Sequence, residues 1–97
     1  MLNMFIATPV TFTKPLEECV GNFGESIEFN CETSKACRVE WFFNDKRIPS
    51  QQYEIESIDT KHTLRIPKVK LTDKGWFKCA VQDAFIEAKL TVIGRII

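Results

Sequence analysis

A chain of 97 residues that is 44% hydrophobic amounts to one domain, too short for two independent cores and too apolar for a disordered segment. Thirteen basic residues balance thirteen acidic ones, so no net field draws the chain to nucleic acid or to an anionic membrane surface. No apolar run approaches the roughly 18–20 residues that span a bilayer.

The opening Met1-Leu2-Asn3-Met4-Phe5-Ile6 is apolar but lacks the basic start and long apolar stretch of a signal peptide. Residues 1–8 read as an N-terminal extension or the end of an upstream domain, 9–94 as the folded domain, and 95–97 as a C-terminal end. The segment after Pro15 reads as a strand with Cys19 facing inward. Gly21-Asn22-Phe23-Gly24 can supply the positive φ of a turn. In Ser26–Cys31, Ile27, Phe29 and Cys31 share a face. Cys37 opens the next strand, where Val39 and Trp41 face in and Phe42 faces out. Asn44-Asp45-Lys46 reads as a hairpin and Pro49-Ser50 as a loop. Leu64 and Ile66 share a face of His62–Ile66. Lys70–Gly75 reads as a short turn with room for one helical turn. Phe77, Cys79 and Val81 then face in, which sends Trp76 out. Phe85 sits outward near the last hairpin, and Ala88, Leu90 and Val92 face in again. This period of two, with polar residues opposite, gives each strand one wet side, as antiparallel sheets allow. Roughly seven to nine such strands in so short a chain predict an all-β, two-sheet sandwich.

Three features combine into a signature. Cys31 and Cys79 lie 48 positions apart on inward faces. Trp41 follows on the next strand in the same core. Asp73-x-Gly75-x-Phe77-x-Cys79 precedes the final hairpin. This resembles the immunoglobulin fold, a Greek-key sandwich in which an indole packs over two cysteines. The resemblance runs from about Phe12 to Val92. Phe12-x-Lys14-Pro15-Leu16, Gly24-Glu25, Phe29-x-Cys31-Glu32, Val39-x-Trp41-Phe42, Tyr53-x-Ile55, His62-x-Leu64-x-Ile66 and Ala88-x-Leu90-x-Val92 resemble the I-set modules of giant muscle proteins of the titin, obscurin, twitchin and myosin-binding type. The core signature is thus Cys31, Trp41, Leu64, Asp73, Gly75, Phe77 and Cys79. One departure stands out. The family usually carries Tyr where this chain has Phe77, so the packing is kept but a hydroxyl bond worth roughly 0.5–1.5 kcal/mol is lost. Asp73 and Gly75 are left to form the corner.

The resemblance implies a Cys31–Cys79 disulfide in an oxidising compartment, worth about 4 kcal/mol for a loop of this length. In a reducing cytosol the same pair is two buried thiols. Cys19 and Cys37 fall outside the family pattern. They are expected toward different ends of the sandwich, beyond the roughly 4.4–6.8 Å Cα separation that a bridge needs. Cys37, nearer a loop, reads as a plain half-buried cysteine.

No cofactor or metal is expected, because there is no Cys-x-x-Cys pair and His62 is the one histidine. His62 reads as a structural residue at a strand edge. Glu17-Glu18 and Glu54-x-Glu56 read as solvated strand faces, since a filled sandwich offers no cleft to split their pKa values. Gly21-x-x-Gly24 reads as a turn rather than an RNA clamp, which needs helices that are missing. No nucleophile elbow is present, so the chain reads as non-catalytic, without a small-molecule substrate.

The outward aromatics form the candidate partner surface: Phe42, Trp76 and Phe85, with Lys78 and Lys89 nearby. Exposed large aromatics are enriched in binding hot spots, although the stems of Lys78 and Lys89 could simply cover them. The resemblance implies a structural and protein-binding module of a cytoplasmic giant protein, in contact with sarcomeric or cytoskeletal proteins and with neighbouring immunoglobulin or fibronectin-type domains. Force would shear the strand near Leu16–Val20 from the strand near Lys89–Ile93. The alternative is an extracellular adhesion or receptor domain. The lack of Asn-x-Ser/Thr acceptors in the chain leans toward the intracellular reading.

Overall fold

The computed structural model describes residues 9–48 and 53–94. The expected extension 1–8, the Pro49-Ser50 loop and the C-terminal end 95–97 lie outside the described residues. Among the described residues nine strands follow in chain order: β1 (Phe12–Lys14), β2 (Cys19–Asn22), β3 (Ile27–Thr33), β4 (Glu40–Phe43), β5 (Lys46–Arg47), β6 (Glu54–Ile58), β7 (Lys61–Ile66), β8 (Gly75–Val81) and β9 (Ala84–Ile93). One 3-10 turn, Leu71–Asp73, leads into β8. The strands form a four-stranded sheet, ordered β1-β3-β7-β6, and a five-stranded sheet, ordered β2-β9-β8-β4-β5.

Side-chain alternation builds the core. Ile27, Phe29, Cys31 and Thr33 of β3 are buried, while the residues between them face water or lie half covered. His62, Leu64 and Ile66 of β7 join them from the same sheet. Trp41, Phe77, Cys79, Ala88 and Leu90 close the layer from the other sheet. Val39 packs against this cluster from the segment before β4. Phe77 is fully buried, and its ring meets Phe29 at 5.0 Å, Phe43 at 4.8 Å and, edge-on, Tyr53 at 6.2 Å.

The N-terminal segment divides between the sheets. β1 runs antiparallel to β3, and β2 runs parallel to β9 with Cys19 opposite Leu90 and Asn22 opposite Ile93. Pro15 sits at the crossing, where its missing N–H interrupts no ladder. Leu16, expected within the sheared strand, is instead a buried plug at that crossing; the paired strand starts at Cys19.

The turns follow local chemistry. Asn44 and Asp45 take φ of 49° and 69° between the paired Phe43 and Lys46. That is a two-residue primed hairpin turn, which Asn and Asp tolerate. Gly24 takes φ of 89°. Gly21 does not turn: it lies in β2, where an added Cβ would come within 2.8 Å of Ile27 Cγ2.

His62 departs from expectation. It is fully buried on β7, an interior strand between β3 and β6, with Cys31 and Ser57 as register partners. Thr33 Oγ1 donates its proton to the Lys35 carbonyl at 2.8 Å, so it accepts from His62 Nε2–H at 2.9 Å. Ser57 then donates to Nδ1 at 2.8 Å. The neutral Nε2–H ring is satisfied on both nitrogens, and burial pulls its pKa below the usual histidine value.

Candidate functional site

The two signature cysteines lie in the core, their sulfurs 3.7 Å apart and unbonded. Trp41, buried, is the register partner of Cys79. Its Nε1 has no partner among the described residues. The contact with the Cys31 sulfur, then burial, pushes the Cys79 thiol up, and the contact with Cys79 pulls Cys31 down. Cys19, half-buried, sits beside Leu90, which in turn pairs with Gly75 at the start of β8. Cys37 lies before β4 rather than within it, contacts Thr33 Oγ1 at 3.6 Å, and borders Val81 at the far end of β8. The two extra cysteines thus occupy opposite ends of the sheet.

Asp73 is buried and acts as a hub. Its carboxylate accepts the Lys70 backbone N–H at 2.8 Å and the Tyr53 hydroxyl at 3.0 Å. Gly75 takes φ of 148°, and an added Cβ would strike Asn44 Oδ1 at 2.7 Å and Phe43 Cε1 at 2.9 Å. Asp73 and Gly75 do form the corner, with Tyr53 supplying a hydroxyl from another part of the chain. Among the described residues, no group of three or more His, Cys, Asp and Glu could hold a metal ion, and no helix is long and apolar enough to cross a membrane.

The candidate partner surface is the outer face of the five-stranded sheet. Strand parity places Phe42, Trp76, Lys78 and Phe85 on it, as expected. Trp76 is 48% exposed and Phe85 58%. Phe42 is half-buried, because its register partner Lys78 lies over it. Lys78 Nζ sits 5.0 Å from the Phe42 ring centre and 5.3 Å from that of Phe85, and it bonds Asp45 Oδ1 at 3.2 Å. This is a cation held between two aromatic faces and a carboxylate. The covering that the Lys78 stem could provide is thus real for Phe42, while Trp76 stays open although Lys89 is its register partner. Asn44 fixes Trp76 by its backbone: Asn44 N–H donates to the Trp76 carbonyl at 2.8 Å, and Trp76 N–H donates to Asn44 Oδ1 at 3.0 Å. Sequence reasoning missed Val20 and Ile93, both more than half exposed on the same face. Parity from inward Cys19 and Val92 carried that signal. Glu17, Glu18, Glu54 and Glu56 are exposed, and Glu54 pairs with Arg65 at 2.7 Å.

Residues 10–93 match the immunoglobulin I-set domain family. The chain is an I-set immunoglobulin domain. Titin of Drosophila melanogaster is 32% identical to the domain over 88 residues, covering 89% of this chain and, to the nearest per cent, 0% of that giant protein. Slow-type myosin-binding protein C of Homo sapiens is also 32% identical, over 87% of this chain and 8% of its own length. Human Roundabout homolog 1 is 32% identical over 84% of this chain and 5% of its own length. The domain thus spans less than a tenth of the curated relatives it matches. Among solved structures, titin domain I10 superposes with a TM-score of 0.84 at 22% identity, over 89% of this chain and all of that domain. The titin Z1Z2 pair in complex with telethonin superposes with a TM-score of 0.81 at 26% identity, over 89% of this chain and 48% of that one.

Proposed function

We propose that this I-set domain is a non-catalytic, load-bearing and protein-binding module of a giant sarcomeric or cytoskeletal protein, working in a tandem array. The observation that carries it is the parallel ladder between β2 and β9. Tension reaches β2 at its Cys19 end and β9 at its Ile93 end. Parallel strands pulled from opposite ends slide past each other, so the four register pairs and the Phe23 N–H to Ile93 carbonyl bond at 2.9 Å are loaded together. Bonds that must break together resist more than bonds that unzip singly. Likeness to titin and to myosin-binding protein C supports a cytoplasmic, sarcomeric setting. The telethonin complex of a titin pair supports protein partners.

Single-molecule pulling on linked copies of the chain tests this reading. Each copy should give a discrete force peak. Phe23→Pro, which deletes the Phe23 donor, should lower the peak. Val20→Pro should leave it nearly unchanged, because the N–H of Val20, one strand position out of phase, points away from β9. Unfolding without a peak would overturn the load-bearing role.

Likeness to Roundabout homolog 1 favours a second reading, an extracellular adhesion or receptor domain. That reading requires Cys31 and Cys79 to be oxidised in the protein as isolated from its source. Reduced thiols there remove it.

A further inference from the structure

Where the β4–β5 turn meets β8 and β9, Asn44, Asp45, Trp76 and Glu87 line a recess of about 300 Å³. Its aromatic wall is the exposed Trp76 indole, whose backbone is pinned by two hydrogen bonds to Asn44. Its acidic wall is Asp45 and Glu87. Lys78 stands directly opposite Glu87 on the neighbouring strand, yet its ammonium turns to Asp45 and to the Phe42 and Phe85 rings. Glu87 consequently makes no ion pair among the described residues. No cation sits over the Trp76 ring among them either. The recess therefore offers a cation the two things it seeks, an unneutralised carboxylate and an open indole face, on a scaffold already held rigid. Two carboxylates with an aromatic wall do not make a metal site. They suit an organic cation.

We propose that this recess receives an arginine side chain from a partner protein, its planar guanidinium stacked on Trp76 and bonded to Glu87, while Asp45 holds Lys78 away from that carboxylate. Arginine fits better than lysine because its flat, weakly hydrated head both stacks on an indole and pairs with a carboxylate. Lys89, the register partner of Trp76, opposes any guest cation, so only a guest that satisfies both walls binds. The proposal rests on reading the domain as a protein-binding module and names the chemistry of the partner.

The test is a titration of the isotope-labelled chain with the capped peptide Gly-Arg-Gly, followed by the Trp76 indole and backbone resonances. Matching peptides carry lysine or citrulline in place of arginine. Saturable shifts at Trp76, Asn44 and Glu87 are expected, strongest for arginine and absent for citrulline, which keeps the shape and lacks the charge. Glu87→Gln should weaken binding roughly two- to fivefold, the range of an exposed ion pair. Its other resonances should stay in place, since Glu87 is exposed. Trp76→Ala should abolish the shifts. Equal shifts with citrulline, shifts spread over the whole surface, or full binding by Glu87→Gln would overturn the proposal. A chain that shows a force peak but no arginine-dependent shift keeps the load-bearing reading and loses the recess.

Discussion

The Tyr53 hydroxyl donates to Asp73 Oδ1 at 3.0 Å across 20 positions of sequence, joining the start of β6 to the turn before β8. The bond is buried, and it ends on the carboxylate that also accepts the Lys70 N–H. Tyr53→Phe should therefore cost roughly 1–3 kcal/mol by urea unfolding, as for a bond to a charged acceptor that is left short of a donor. Burial, then the bond and charge of Asp73, push the Tyr53 pKa from 10.0 up to about 12. A raised value means that the protonated phenol is the form favoured by folding. Its contribution is complete below pH 10 and is lost as pH climbs toward 12. The wild-type chain should lose stability across that window, and the Tyr53→Phe variant should lose less. Identical alkaline limbs would remove the bond from the account.

Buried His62 governs the weakly acidic range. Burial holds its folded pKa below the ordinary histidine value of 6.5, so the unfolded chain takes up the proton first. Stability is whole above about pH 6.5 and declines as pH falls below it. Protonation at Nδ1 would also force Ser57 from donor to acceptor. Thermal unfolding between pH 7 and pH 5.5 should show the decline. His62→Gln should flatten it, even if the variant is less stable throughout.

Gly75 sits where φ is 148° and where Asn44 and Phe43 leave no room for a Cβ. Gly75→Ala should destabilise by more than about 1 kcal/mol. The Trp76 amide, bonded to Asn44, should lose protection from hydrogen exchange. An unaltered exchange rate there would contradict the packing described.

The Lys78 cluster should be energetically real but small. A double-mutant cycle of Lys78→Met with Phe42→Leu should give a coupling of roughly 0.5–1 kcal/mol, the range for an exposed cation–π pair. Trp76→Ala, with its half-exposed ring, should leave the Tm nearly unchanged. A large loss there would make Trp76 a packing residue and not a contact for partners.

The thiol pair makes a chemical prediction. Mild oxidation should bridge Cys31 and Cys79, whose sulfurs already lie 3.7 Å apart, and raise stability by about 4 kcal/mol at most. Alkylation after denaturation should then label only Cys19 and Cys37. In the native reduced chain, Cys19 should react slowly, because burial pushes its thiol up. A bridge involving Cys19 would contradict its position at the other end of β8 from Cys37.

The sandwich was legible because each inward residue repeats every second position. One bad parity would have put Trp41 or Phe77 in water. The outward face followed from the same parity, which is why Phe42, Trp76 and Phe85 were foreseen. What was not legible were contacts between residues distant in the chain. Nothing near Tyr53 in sequence points to Asp73. Nothing near His62 says that Thr33 spends its proton on Lys35 and so fixes the ring's tautomer. Gly21 looked like a turn residue because glycine serves two purposes, positive φ and close approach, and only the position of Ile27 tells which applies. Parity tells the face that Lys78 takes, but its choice of two rings and Asp45 over Glu87 is a competition settled in three dimensions.

Among the described residues, β6 borders the four-stranded sheet and has no strand on its outer side, and both Ile55 and Ile58 are exposed. An open border of this kind is a template for a stray strand from another copy. In a string of like domains, the local concentration of such strands reaches the millimolar range whenever two neighbours unfold together. Glu54 and Glu56 flank Ile55 and share a face with Ile58, so two such borders brought side by side bring carboxylate near carboxylate. In such a string, their value would be greatest while a domain refolds, by steering it away from entanglement with a neighbour.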